Sequence, residues 1–355
     1  MIDSNFTYVL ILKDRPSYTL RLMQYLNHVE FPFKIIIADG GKNKEIQYVL
    51  ENVDNFKKIN YKYFRYPYDD GLDDYFEKMA SVVEKIDTPI ASVVDNDDFF
   101  LTEGICNSLY FLKNNLDYSS ARGEVHPINI SGGPTGKMSI SPDNLYSKFK
   151  TSIVADTAKD RVSQQSHQFH ANWHNLTRTN HLTASWNMIN AVKPKNMRFV
   201  DNMTGYLYVA WGNGYRGDYP WMLHQRAERI EIKGQSLKSH FPPQNEWVSS
   251  DYWLEDFNKM TEVIGVAIAE YDGISVEDAM TAFTDVYPYK VEAHIELFKS
   301  RVKEAKKIGY DENRIQRLFD VVKKYNVKEV QPVSDLDFEF LPAQEEVDAL
   351  SKFLL

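Results

Sequence analysis

The sequence predicts an α/β protein with a mostly parallel sheet covered by helices on both faces, and a helical C-terminal appendage. Apolar runs of strand length alternate with helically spaced segments over the first hundred residues. A polar cluster follows each of these runs, and the last third carries helical periodicity with capping residues.

Strand-length runs lie at residues 6–12, 33–38, 59–64 and 90–94, with helical spacing at 17–29, 44–56 and 72–86. Strand, helix, strand at this rhythm builds right-handed βαβ units. Lys13-Asp14-Arg15 follows the first run, Asp39-Gly40-Gly41 the second, Asp69-Asp70-Gly71 the third and Asp95-Asn96-Asp97-Asp98 the fourth. Open α/β sheets bind ligands beyond the carboxyl ends of their strands, so the four clusters are expected on one rim.

Residues 131–168 are turn-rich and are expected to form a flexible flap beside that rim. Regular structure resumes over 173–189, and a helix is expected over 199–212, beginning just after Asp201. Residues 251–271 place Leu254, Phe257, Met260, Val263, Ile264 and Ala267 on one side and stop at Asp272-Gly273. Ser275 to Asp278 resembles a capping box, and amphipathic stretches cover 288–307, 312–325 and 343–354. The expected division is a catalytic sheet domain over 1–215 and a mainly helical region over 216–355, packed on that domain or on a second copy in a homo-oligomer.

With 355 residues, 43% of them apolar, the chain can bury a sizeable core. A net charge of -9 argues against a broad nucleic-acid or anionic-lipid face. One cysteine, Cys106, excludes an intramolecular disulfide and disfavours a cysteine-based zinc site. The apolar run at 6–12 is too short for a signal or a span and lacks a basic flank, so a soluble, cytoplasmic protein is expected.

The chemistry concentrates at Asp95-Asn96-Asp97-Asp98. Carboxylates flanking one residue at a strand end can chelate a hard divalent cation. Such an ion neutralises a departing diphosphate. The competing reading, an acidic turn before a helix starting at Thr102-Glu103, is outweighed by the buried strand and the other rim clusters. His167, His170 and His174 would share one face of a helix, and a polar or acceptor-side cluster is favoured over zinc there. Residues 132–138 lack the first glycine and the Ser/Thr of a phosphate loop. Trp211, Tyr215, Tyr219 and Trp221 read as a packed junction rather than a stacking surface.

Residues 6–122 resemble the nucleotide-binding half of a GT-A glycosyltransferase of the family 2 type. The likeness rests on the first strand with Arg15-Pro16, on Ile35-Ile36-Ile37-Ala38-Asp39-Gly40, on Gly71-Leu72-Asp73-Asp74-Tyr75 and on Val94-Asp95-Asn96-Asp97-Asp98-Phe99-Phe100. Bacterial and phage members of this branch extend it through Ser119-Ser120-Ala121-Arg122-Gly123 and residues 173–181. The resemblance implies that Asp39 holds the base or ribose of a nucleoside diphosphate. It implies that Asp95 contacts ribose or metal and that Asp97 ligates Mn2+ or Mg2+ directly. Arg15 and Lys78 would serve the nucleobase side or the phosphates, Asp70 a second nucleobase position, and His240 would return to the metal or the diphosphate. In this fold an acidic residue opening a later helix deprotonates the acceptor, which points to Asp201; the alternative for Asp201 is a helix cap.

The implied activity is metal-dependent, inverting transfer of a hexose or pentose from a nucleotide sugar, a UDP-sugar first, to a glycan or lipopolysaccharide hydroxyl. Other readings stay open. One is transfer to hydroxymethylated bases of phage DNA, for which Lys193, Lys195, Arg198, Arg216, Arg226 and Arg229 would build a local groove. The others are a haloacid-dehalogenase-like phosphatase using an Asp-x-Asp nucleophile and a non-catalytic sugar- or nucleotide-binding module.

Overall fold

The computed structural model describes residues 3–131, 136–141, 151–169, 172–226, 243–287, 295–336 and 339–354. Four parallel strands, β1 (Asp3–Leu12), β2 (Phe33–Asp39), β3 (Asn60–Arg65) and β4 (Ile90–Val94), stand in the order β3-β2-β1-β4. Helices α1 (Pro16–His28), α2 (Lys44–Glu51) and α3 (Leu72–Val83) connect them. β1 and β4 are buried on both faces, and this is why their sequences run apolar without alternation. Pro16 opens α1, and the Asn43 side chain caps α2 by accepting from the Ile46 N–H at 2.9 Å.

Beyond β4 the sheet becomes mixed. Its remaining strands are β5 (Phe99–Phe100), β6 (Tyr118–Ser131), β7 (Lys137–Ile140), β8 (Leu176–Arg178) and β9 (Asn213–Gln225). The order continues β4-β8-β6-β9-β5, with β7 beside β6. β8 is antiparallel to both β4 and β6, β6 is parallel to β9, and β5 is antiparallel to β9. β9 thus carries the sheet past residue 215.

The intervening helices are α4 (Thr102–Asn114), α5 (Ala158–His167), α6 (Thr179–Val192) and α7 (Met197–Ala210). The C-terminal ones are α8 (Gln244–Ser249), α9 (Trp253–Asp272), α10 (Val276–Val286), α11 (Ile295–Ile308), α12 (Glu312–Lys324) and α13 (Ala343–Leu354). One core joins Val9, Ile36, Phe76 and Val93 of the sheet domain to Phe257, Ile264, Phe283 and Leu318 of the C-terminal helices. The other face buries Leu10, Tyr25, Phe100 and Leu109 together with Leu350 and Leu354 of α13. Each such side chain contributes about 1.5–3 kcal/mol on burial, so the C-terminal helices are part of the sheet domain's own stability.

Several local expectations resolve here. α9 stops at Gly273, whose φ of 68° suits glycine, and the Ser275 hydroxyl caps α10 by accepting from the Asp278 N–H at 3.1 Å. α7 starts at Met197, earlier than expected, because the Asn196 side chain accepts from the N–H groups of Arg198 and Phe199. Asp201 therefore lies inside the helix and does not cap it. Of the expected flap, 151–168 is packed: Ile153 and Val162 are buried, and the Arg161 guanidinium donates to the carbonyls of Ala155, Val209 and Ala210. Residues 132–135 and 142–150 lie outside the described residues. His167 ends α5 and His174 lies beyond it, so they share no helical face; His170 is outside the described residues. Among the described residues no helix is long and apolar enough to cross a membrane.

Candidate active site

The carboxyl ends of β1, β2 and β4 form one rim, since their register sets Leu12 beside Asp39 and Leu10 beside Val94. Asp95 follows β4 directly. On β4, β8 pairs with Ile90 and Ala91 alone, so the residues before β8 run along the rest of that edge without a ladder. His174 uses that stretch: its Nδ1–H donates to the Val93 carbonyl at 2.8 Å, and Ser92 Oγ donates to the His174 carbonyl at 2.7 Å. A carbonyl only accepts, so the proton sits on Nδ1, and in the neutral ring Nε2 presents its lone pair. Nε2 faces Asp98 Oδ2 at 3.6 Å and Asp95 Oδ2 at 3.8 Å.

Asp98 is buried and held from the far side by β9. The pairing of Phe99 with Leu223 brings the next residues of β9 to it. The Gln225 N–H donates to Asp98 Oδ1 at 3.0 Å, and His224 Nδ1 lies 3.0 Å from the same oxygen. The hydrogen bond to Asp98, reinforced by Asp97 and Asp95 charge, raises the His224 pKa against its burial. Asp95 is half exposed to the crevice. Its pKa is raised by desolvation and by the charges of Asp97 and Asp98, with His174 pulling the other way. One atom each from Asp95, Asp98 and His174 lies within 4.8 Å of the others, a set able to hold a metal ion. Two carboxylates and one oriented imidazole suit a divalent ion that accepts a nitrogen beside oxygen ligands, such as Mn2+, better than Mg2+, which prefers oxygen alone.

Asp97 points elsewhere. Its Oδ2 accepts from Arg15 Nη2 at 2.7 Å in a half-buried ion pair. Asp14 and Arg15 both adopt left-handed backbone, with φ of 57° and 56°, and the Arg15 guanidinium stacks 4.2 Å above the Tyr18 ring. Arg21, buried by Tyr18 and Phe99, donates to Gln225 Oε1 at 2.8 Å, and burial pushes its pKa down to about 10.

Asp39 is buried and well satisfied. It accepts from the Gly41 N–H at 2.7 Å, Tyr63 Oη at 2.6 Å and Arg65 Nη1 at 2.5 Å. Lys78 is also buried, ion-paired with Asp69 and donating to the Leu12 carbonyl at 3.1 Å. Burial raises the Asp69 carboxyl and lowers the Lys78 ammonium despite their mutual attraction. Glycine at 40 makes room for this pair, because a Cβ there would fall 2.4 Å from the Asp69 carboxylate. Asp70 is exposed next to it. Lys13 and Lys42 lie 5.2 and 3.7 Å from the Tyr68 ring centre at the same corner.

Asp201 is half-buried, and its charge, like those of Asp95 and Asp69, acts on the partly buried Tyr75 phenol. His240 and Arg229 lie outside the described residues. The expected basic groove is largely spoken for: Lys193 pairs with Glu77 at 2.7 Å, Lys195 with Glu255 at 3.3 Å, and Arg216 donates to Thr151 and Gln165. His224, Arg65 and Tyr63 carried no signal in the sequence, since strand pairing brings them in. Asp69 was visible in its cluster, but nothing distinguished it from Asp70.

No protein-family model matches the chain, and no curated protein matches it by sequence. Among solved structures it is similar to S. aureus TarS, with a TM-score of 0.51 and 12% identity, covering 89% of this chain and 55% of that one. The likeness is one of fold. The chain thus spans about half of that TarS chain. The structure of TarS 1-349 in complex with UDP-GlcNAc gives 0.48 at 15% identity, over 91% of this chain and 90% of that one. PcManGT of Pyrobaculum calidifontis, a mannosyltransferase in complex with GDP-Man and Mn2+, gives 0.40 at 7% identity, over 100% and 85%. The α/β architecture with a helical C-terminal region is the fold class that the sequence predicts.

Proposed function

We propose that the protein is a glycosyltransferase that moves a sugar from a nucleotide-sugar donor to an acceptor hydroxyl, with inversion at the anomeric carbon. The observation that carries this reading is the convergence of Asp95, Asp98 and His174 Nε2 at the carboxyl end of β4. These three residues would hold a divalent cation, Mn2+ in preference to Mg2+. When bound, such an ion supplies positive charge to a diphosphate leaving group.

The chain's own residues do the rest. His224 and the Gln225 N–H orient Asp98, and the Val93 carbonyl orients His174. The Arg15–Asp97 pair closes the rim beside the crevice, and a diphosphate entering there can draw the guanidinium from Asp97. Asp39, with Tyr63 and Arg65, forms the polar floor on the base side. Asp201 is the base that takes the acceptor's proton, so that the hydroxyl oxygen attacks the anomeric carbon as the bond to the diphosphate breaks. Its support is its sequence position and its charge acting on Tyr75, together with Asp95. TarS, whose fold the chain shares, has been captured with UDP-GlcNAc, which makes that donor the first to try. A glycan hydroxyl is the acceptor class proposed. The deciding experiment is calorimetric titration of UDP-GlcNAc, other nucleotide sugars and free nucleotides with Mn2+. Metal-dependent binding that disappears in Asp98→Asn supports the reading, and no binding by any of them overturns it.

A further inference from the structure

The Arg15–Asp97 pair joins two backbones that are each tied down. The Arg15 carbonyl accepts from the N–H groups of Tyr18 and Thr19 at 3.2 and 3.3 Å, and the neighbouring Asp14 carboxylate accepts from the Lys42 N–H at 2.8 Å. Arg15 is thereby fixed to α1 and to the segment after β2, in left-handed backbone with φ of 56°. Asp97 stands between two buried residues, Asn96 and Asp98. The Asn96 amide donates to Thr19 Oγ1 at 3.0 Å, and Asp98 is held by Gln225 and His224. What remains able to rearrange is the two side chains, 31% and 17% exposed.

Their contact is also a partial one. Arg15 meets Asp97 through Nη2 alone, and among the described residues its Nε and Nη1 have no hydrogen-bond partner. Two parallel N–H bonds are the stronger geometry for a guanidinium on an oxyanion. A diphosphate can accept both and carries more charge than one carboxylate, so it can displace Asp97 by rotation of the arginine side chain. The Arg15 charge is felt beyond Asp97. Burial disfavours it, yet Asp97, and after it Asp95, hold the Arg15 pKa above its ordinary value. The Asp95 pKa, raised by burial, is pulled down by His174 and also by Arg15. A guanidinium that leaves Asp97 for a diphosphate uncovers a carboxylate charge beside Asp95, and that charge favours a cation in the set formed by Asp95, Asp98 and His174.

We propose that Asp97 is an internal stand-in for the donor's diphosphate, occupying Arg15 until the diphosphate displaces it. The proposal rests on the donor reading of the site given above. It assigns Asp97 an action through Arg15, so that Asp97 weakens donor binding in the metal-free protein. It also couples the donor to the metal, and by linkage each raises the other's affinity by the same factor.

The test is calorimetric titration of UDP without metal into the unsubstituted chain, Asp97→Asn, Arg15→Gln and the double variant. Asp97→Asn should bind UDP about three- to tenfold more tightly, because the guanidinium is released. In the Arg15→Gln background the same change should lose most of that gain, whereas relief of general charge repulsion would give it in both. Arg15→Gln alone, titrated with Mn2+ in the absence of nucleotide and followed by the paramagnetic resonance of the free ion, should bind the ion more tightly than the unsubstituted chain. Metal-free UDP binding that is equal in the unsubstituted chain and Asp97→Asn, or undetectable in both, overturns the proposal. The same gain in both backgrounds, or Mn2+ affinity that does not rise in Arg15→Gln, overturns it too. In each of these cases the donor reading stands if UDP binds the unsubstituted chain with Mn2+ present, and it falls as well if UDP does not.

Discussion

His174 Nε2 lies 3.6 Å from Asp98 Oδ2, while the other nitrogen of the same ring is tied to the Val93 carbonyl. The first contact places a lone pair among carboxylates and the second fixes its direction. A ring free to rotate would present either nitrogen, so the Val93 bond determines which one reaches Asp98.

His174→Ala should therefore reduce Mn2+ affinity, and His224→Ala, which removes the group that orients Asp98, should reduce it by about 10–100-fold. Calorimetry with Mn2+ on purified variants checks both. Circular dichroism should show the fold unchanged, because neither ring belongs to the hydrophobic cores.

In metal-free protein the His224 imidazolium is favoured by Asp98. Its folded pKa is raised, so its contribution to stability is full below the ordinary histidine value. The contribution fades as pH rises through the folded value. An NMR titration should place the His224 midpoint above that of an exposed histidine, and Asp98→Asn should bring it down.

Lys78 and Asp69 form a buried pair whose partners are each penalised by desolvation. Lys78→Met leaves the Asp69 carboxylate uncompensated and should cost about 3–5 kcal/mol in denaturant unfolding. Joining it with Asp69→Leu should recover much of that loss, because the double variant strands no charge.

Glu346 of α13 accepts from the Thr102 N–H at 2.6 Å and from the Thr102 hydroxyl at 3.1 Å, yet burial raises its pKa to about 7. The penalty on its charged form is absent at pH below the ordinary glutamate value and complete above about 7. Stability from this group therefore falls as pH rises across that window, by at most about 3 kcal/mol. Glu346→Gln should leave the melting temperature near the unsubstituted value at pH 5 and raise it relative to that value at pH 8.

The parallel half of the sheet is legible in the apolar runs alone. Residues 90–94 could only be a strand buried on both faces, and the polar residues after it had to lie at a strand end. The cap at Ser275 and the stop at Gly273 were equally local, since each depends on residues within one turn. Tertiary structure decided which acidic groups work together. Asp97 and Asp98 are adjacent in sequence, yet one turns to Arg15 and the other to His174 and His224. The periodicity of a strand or helix records only which face is apolar. The partners of Asp98 arrive through the pairing of β9 with β5 and through a residue running along the edge of β4 beyond its pairing with β8. Such contacts span many residues of chain, and their geometry exists only once the core has closed.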